Sequence, residues 1–189
     1  TVLHSTLNYL GYESIHGMMC INLTEDEQAI KPSIETLKSA LFGALDNYDI
    51  KGHKENKLGI ASGQLIGGNL SLLTATLGSK TSLNTKGKII FIEEIGEHKY
   101  HIDRQLQSLK RAGYFKQCSA VIVGDMSKLK TNNPEWGQTI EALILDILEN
   151  TNIPVAFGFP AGHELENRAL YFGRHIKLDV TKKHTRVSF

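Results

Sequence analysis

No sign of charge dominates this sequence: 21 lysines and arginines face 20 aspartates and glutamates, a formal net charge of +1. That balance leaves no electrostatic footprint for nucleic acid or for an anionic membrane surface. The short basic clusters Lys51-Gly52-His53-Lys54 and Lys182-Lys183-His184 read as solvated turns. Cysteine is scarce. Cys20 and Cys118 are far apart and outside any CxxC or Cys/His metal spacing, so no disulfide is expected and both read as buried or partly buried thiols. No apolar run approaches the ~20 residues that a membrane-spanning helix needs. There is no internal repeat, no low-complexity segment, no Walker A loop, no GxGxxG and no HExxH. What is present is a globular composition, 41% hydrophobic and 22% charged over 189 residues, enough for one ordinary domain or for one and part of another. The first residues, TVLHSTLNYLGY, carry no methionine and begin their apolar pattern at once, so the chain is expected to start inside a larger protein.

Hydrophobic spacing sets out an alternation of helices and strands. Val2, Leu3, Leu7 and Leu10 space as a helix that Gly11 can end, and 14–19 reads as a short strand running into a loop. Thr24-Glu25-Asp26-Glu27 resembles a capping box, Pro32 suits the first turn, and Ile34, Leu37, Leu41 and Leu45 continue that helix to about Asn47. The polar run 49–57 (DIKGHKENK) is the best linker or exposed loop. LGIASG then reads as a short strand, QLIGGNL as a glycine turn, and SLLTATL as a helix capped by Asn69. Strands are expected at 88–92 and 119–124, with a helix carrying Ile102, Leu106 and Leu109 between them. Asn133-Pro134 reads as the start of a helix whose stripe is Ile140, Leu143, Ile144, Ile147 and Leu148. IPVAF, HIKLDV and TRVSF close the chain as strands, the last two paired through Thr181-Lys182-Lys183. The fold class is therefore α/β with a mixed sheet.

Three stretches invite a functional reading, each beside a structural one. In GGNLSLL, two glycines before a helix start can present backbone N–H groups to a carboxylate or phosphate, or simply make a tight turn. In IIFIEEIGEHKYHIDR (89–104), a buried strand delivers Glu93 and Glu94 at its end. Neighbouring strand side chains point to opposite faces, so one is expected to turn inward while the other meets solvent; a fully solvated strand terminus is the alternative. His98, His101 and Asp103 lack a spacing specific for metal, and no metal is expected. In GFPAGHELENRALYFG (158–173), the rigid loop either holds His163 for proton transfer or exposes it as an ordinary loop residue.

Taken together and in order, HGMM (16–19), SGQLIGGNLSLLTATLGS (62–79), 87–115, AVIVGDM (120–126) and IPVAFGFPAGHELENRALYFG (153–173) resemble the C-terminal part of the LD-carboxypeptidase family of serine peptidases. That family includes muramoyltetrapeptide carboxypeptidases and microcin C immunity-type peptidases. The resemblance implies a Ser–Glu–His triad. The histidine falls on His163, the glutamate most naturally on Glu93, with Glu94 the fallback. The serine belongs to a Gly-aromatic-Ser-Asp-x-Thr run whose threonine matches Thr1, so the nucleophile is expected just upstream of Thr1, and the 189 residues alone are expected to be inactive. By the same resemblance, 1–50 is the tail of the nucleophile domain with its connecting helix, 51–57 a linker, and 58–189 a swivelling β/β/α-type domain carrying Glu and His. The implied activity is cytoplasmic hydrolysis of the amide to a terminal D-amino acid of a murein tetrapeptide, through an acyl-enzyme, in a homodimer and without metal or organic cofactor. A peptidyl-nucleotide substrate is the immunity-type variant. A non-catalytic peptide-binding or assembly module is the rival class. Trp136 and the 126–137 loop remain unassigned between substrate and core.

Overall fold

A strand with no polar alternation must be covered on both faces, and residues 89–92 and 120–123 are of that kind. The computed structural model describes residues 1–189. Its strands are β1 (Ser14–His16), β2 (Tyr48–Lys51), β3 (Gly59–Asn69), β4 (Ile89–Ile95), β5 (Ala120–Ser127), β6 (Val155–Ala156), β7 (Leu170–Phe172), β8 (His175–Val180) and β9 (His184–Ser188). Its helices are α1 (Val2–Tyr9), α2 (Glu27–Leu41), α3 (Leu70–Ala75), α4 (Lys99–Arg111) and α5 (Ile140–Ile147), with a short 3-10 turn at Cys20–Thr24. Seven strands form one mixed sheet in the order β2-β9-β8-β3-β4-β5-β6, and β1 pairs with β7 in a separate two-stranded ladder. The fold is α/β, as the alternation of elements predicts.

The sheet has a parallel half and an antiparallel half, joined by β3. Its residues 59–64 pair antiparallel with β8, while 65–69 pair parallel with β4. Ile90, Ile92, Val121 and Val123 pack on one face against Leu73, Ile102, Leu106, Leu109, Leu143 and Ile147 of the helices. Their neighbours Ile89, Phe91, Ala120 and Ile122 pack on the other face with Phe159, Phe172, Leu178 and Val187. Each such side chain contributes about 1.5–3 kcal/mol by leaving water. The helix stripes of α4 and α5 predicted from spacing are the buried faces observed.

Several local expectations are corrected. Residues 64–69 are not a glycine turn: β3 runs unbroken from Gly59 to Asn69, with Gly67 and Gly68 both at φ +139. A Cβ on Gly67 would run into the Phe91 carbonyl oxygen, and one on Gly68 would lie 2.5 Å from Thr1 Oγ1, so these glycines permit close packing of neighbouring chain rather than reversal. The polar run expected as linker gives its first residues to β2, where Asp49–Lys51 pair with β9 against a partner the local pattern cannot reveal. Helix α2 starts at Glu27, because Asp26 rather than Thr24 is the cap, accepting the Ala29 N–H at 2.9 Å. Pro32 therefore lies inside the helix, and the helix stops at Leu41, short of Asn47. Asn133-Pro134 does not start α5; Thr139 caps it, its hydroxyl accepting the Ala142 N–H. Cys20 is exposed on the 3-10 turn, whereas Cys118 is buried and its thiol pKa is pushed up to about 11 by desolvation. No helix is long and apolar enough to cross a membrane.

The junction in β3 gives a first test. Gly67→Ala is expected to lower stability by about 3 kcal/mol or more, from steric overlap together with a backbone conformation unsuited to L side chains. An unchanged urea midpoint in the variant would show that β3 does not need that close approach.

Candidate active site

The parallel strands β3, β4 and β5 end on one side of the sheet, where α/β folds place their clefts. A cleft of about 480 Å³ opens there, lined by Thr1, His4, His16, Asn69, Glu93 and His163 among others. Glu93 stands near the end of β4, opposite Asn69 in the β3–β4 register. The pairing of β4 with β5 shifts register between Ile92 and Glu94, so the strict alternation expected at the two glutamates is broken. Neither glutamate meets solvent. Each residue is 2% exposed, which corrects the expectation that one of them would be solvated.

The two carboxylates are satisfied differently. Glu94 accepts the Asn69 side-chain amide at 2.7 Å, the Ser71 N–H at 2.8 Å, the Ser71 hydroxyl at 2.6 Å and its own neighbour's Ile95 N–H at 2.9 Å. The carboxylate that the GGNLSLL segment receives is thus internal. Asn69 also caps α3, accepting the Leu72 N–H at 3.1 Å. Glu93 instead hydrogen-bonds His163, with Oε2 and Nδ1 2.7 Å apart across 70 residues of sequence. Burial pushes the Glu93 pKa up, and the neighbouring His163 opposes that shift by charge and hydrogen bond. With Glu93 ionised, the imidazole donates from Nδ1 and leaves Nε2 as its basic nitrogen. The His163 side chain is 30% exposed, enough to meet a ligand, while its partner is almost wholly buried.

Backbone hydrogen bonds hold His163 from both sides. The Asn167 side chain accepts the Gly162 N–H at 3.2 Å and donates to the Gly162 carbonyl at 2.7 Å. Asn167 is itself fixed by its own N–H to Ser33 Oγ at 2.7 Å, and Ser33 donates to the Leu165 carbonyl at 2.8 Å. On the other flank Asp125, near the end of β5, accepts the Glu164 N–H at 3.2 Å. Its own N–H donates to the Ala161 carbonyl at 2.9 Å. Gly162 sits at φ +145, and a Cβ there would lie 2.8 Å from the Asp125 side chain. Asn167, Asp125 and Ser33 were missed by sequence reasoning. The available signals were an acid directly after the β5 apolar run and an amide four residues beyond the histidine; nothing local marks Ser33, whose partners lie more than a hundred residues away.

Two further histidines, His4 and His16, line the same cleft. His4 Nδ1 lies 2.8 Å from Ser14 Oγ, and His16 stacks on Phe172 with ring centroids 5.4 Å apart. Desolvation lowers their pKa values to about 4 and about 3, so both are neutral at physiological pH. His101 pairs with Glu97 at 2.6 Å outside this arrangement. No group of three or more His, Cys, Asp or Glu side chains is gathered as a metal site.

Residues 62–178 match the LD-carboxypeptidase C-terminal domain. The chain is 35% identical over 188 residues to a probable murein peptide carboxypeptidase of Bacillus subtilis, covering 97% of this chain and 58% of that protein. It is 25% identical over 190 residues to the murein tetrapeptide carboxypeptidase of Pseudomonas aeruginosa, covering 95% of this chain and 60% of the relative. The chain thus spans well under two thirds of the length of these relatives. The crystal structure of muramoyltetrapeptide carboxypeptidase from Oxalobacter formigenes superposes with a TM-score of 0.84 at 24% identity, over 98% of this chain and 64% of that one, and so shares its fold. On the extent of the domain match, the chain belongs to the LD-carboxypeptidase family.

Proposed function

We propose that the protein, at full length, is a serine-type LD-carboxypeptidase that hydrolyses the amide to a terminal D-amino acid of murein peptides. The observation that carries this reading is the buried carboxylate and half-open imidazole of Glu93 and His163 at 2.7 Å, on the edge of a cleft. The names of the relatives, a murein tetrapeptide carboxypeptidase and a muramoyltetrapeptide carboxypeptidase, supply the substrate class.

The nucleophile is assigned to a serine in the segment preceding Thr1 of the full-length protein. Two features support that placement. Thr1, which matches the last residue of the family's serine run, stands at the N-cap position of α1 and lines the cleft with His163. Around α1, the apolar side chains of Val2, Leu3, Tyr9 and Leu10 are exposed, as a surface covered by a further domain would be. In the proposed reaction Nε2 of His163 takes the serine proton as Oγ attacks the peptide carbonyl. Collapse of the tetrahedral species returns that proton to the departing amine and leaves an acyl-enzyme. Water, deprotonated by the same nitrogen, then releases the acid. Glu93 holds the imidazole in the tautomer with basic Nε2 and favours the imidazolium formed in each half-reaction.

Assays of the full-length protein on an L,D-tetrapeptide test this directly. His163→Ala and Glu93→Gln are each expected to lower kcat by about 10⁴-fold or more with the fold retained. Near-wild-type turnover in His163→Ala would remove the histidine from the chemistry. Glu94→Gln, by contrast, is expected to act first on stability, through the hydrogen bonds at the start of α3, and a thermal melt checks it.

Asp125 adds a pH test of the loop that carries His163. Desolvation, chiefly, raises its pKa from 3.8 to about 6, with the Glu164 N–H bond pulling the other way. Between those values the native chain keeps a proton that the unfolded chain has lost. This group therefore makes stability fall as pH rises through that window. Asp125→Asn is expected to show a smaller fall in urea midpoint from about pH 4 to about pH 7 than the parent. Equal falls would place the titration elsewhere.

A further inference from the structure

The side chains along the cleft carry charge of one sign. Glu93, Glu94 and Glu97 line it, and no lysine or arginine does. The first two are 2% exposed and hydrogen-bonded within the protein. His4 and His16 are neutral, because desolvation holds their pKa values at about 4 and about 3. Glu97, whose side chain is 29% exposed, is therefore the carboxylate that a ligand meets.

Glu97 is held in place. Its Oε2 lies 2.6 Å from Nδ1 of His101, in the first turn of α4, which fixes the direction of the carboxylate. Its carbonyl accepts the Lys130 N–H at 3.0 Å, and the preceding Gly96 N–H donates to the Ser127 carbonyl at 3.0 Å. Both bonds tie the segment to the end of β5 and the residues just after it. The contact with His101 is its one ion pair, so no lysine or arginine neutralises it. Oε1 has no partner in the protein and is not among the buried polar atoms that lack one, so it is open to the cleft. A carboxylate oriented in this way on a concave wall discriminates by charge more strongly than a mobile surface acid.

The departing residue of a carboxypeptidase substrate carries its own terminal carboxylate, and like charges repel at contact distance. Glu97 therefore belongs beside the acyl part of the peptide. We propose that Glu97 is a specificity-determining residue for that part: it favours a side-chain ammonium on the residue whose carbonyl is attacked and rejects a side-chain carboxylate there. Attraction and exclusion come from the same open oxygen, so peptides with an aspartyl or glutamyl residue at that position are poor ligands of this cleft. The orientation of the peptide rests on the hydrolytic reading above, and the charge preference on the cleft wall alone.

Calorimetry on the full-length protein in a His163→Ala background, where turnover does not deplete the ligand, tests the assignment. Three tetrapeptides are compared that differ only in the residue before the terminal D-alanine: lysine, norleucine or glutamate. The lysine peptide is expected to bind about fivefold or more tighter than the norleucine peptide, and the glutamate peptide weaker by a similar factor. Glu97→Gln is expected to bring the three affinities together. Glu97→Lys is expected to reverse their order, which misfolding would not do. Equal affinities before substitution, no binding of any of the three, or an order that survives Glu97→Gln overturns the assignment. The parent enzyme separates this from the hydrolytic reading. Binding in the expected order without cleavage keeps the role of Glu97 and removes the reaction, whereas cleavage of the lysine and glutamate peptides at equal kcat/KM keeps the reaction and removes the charge selection.

Discussion

A carboxylate removed from water is costly unless hydrogen bonds or a compensating charge stand in for the lost hydration, and Glu93 is 2% exposed. Its bond to His163 therefore constrains more than two side chains. It requires β4 to deliver the acid deep in the sheet edge and the 158–169 loop to return an imidazole to the same point from 70 residues away. The rest of the site serves that requirement. Asn167 holds one flank of the histidine and Asp125 the other, and Ser33 ties the arrangement to α2. A flexible loop would let the imidazole leave, and the buried acid would then take up a proton rather than remain charged.

The neighbouring acid shows how two adjacent residues of one type acquire different roles. Glu94 receives four hydrogen bonds, three of them from Asn69 and Ser71 around the start of α3. A carboxylate with that many donors has little capacity left for a histidine. Glu93 has the imidazole instead, and burial raises its basicity. The irregular pairing between β4 and β5 breaks the alternation that would otherwise leave one of the pair in water. Saturation with local donors, more than order in the chain, separates the structural acid from the one that pairs with the histidine.

Much of this was readable from the chain, and the failures share a cause. Apolar runs such as 89–92 and the stripe Ile140, Leu143, Ile144 and Ile147 announce themselves because burial acts on every residue of the pattern. The glycine-proline surroundings of His163 fit a proton-transfer loop and an ordinary exposed loop alike, and the family resemblance is what singles it out. Strand β2 does not announce itself, because Asp49 and Lys51 are polar and the segment is held by β9 at the far end of the sequence. Gly67-Gly68 read locally as a turn because local pattern cannot distinguish a glycine that reverses the chain from one that lets another segment approach. Asn133-Pro134 offered a strong local helix start, yet Thr139 supplied the cap where the stripe begins. Wherever a partner distant in sequence decided the outcome, local propensity had no means to register it.

Those two glycines also connect the fold to the chemistry. Gly67 brings β3 against the Phe91 backbone, and Gly68 makes room for the Thr1 side chain, whose hydroxyl accepts the Asn69 N–H at 2.8 Å. Asn69 bonds Glu94 and caps α3, and it faces Glu93 across the strand pair. The start of α1, the end of β3 and the paired acids of β4 are thus fixed within one hydrogen-bonded unit. That unit lies at the C-terminal end of β3, within its parallel-paired half. The antiparallel half, covered by its own hydrophobic layer, resists displacement of β3, while the parallel half opens its strand ends to the cleft. The start of α1 is consequently held in a fixed relation to the acids of β4 and, through Glu93, to His163.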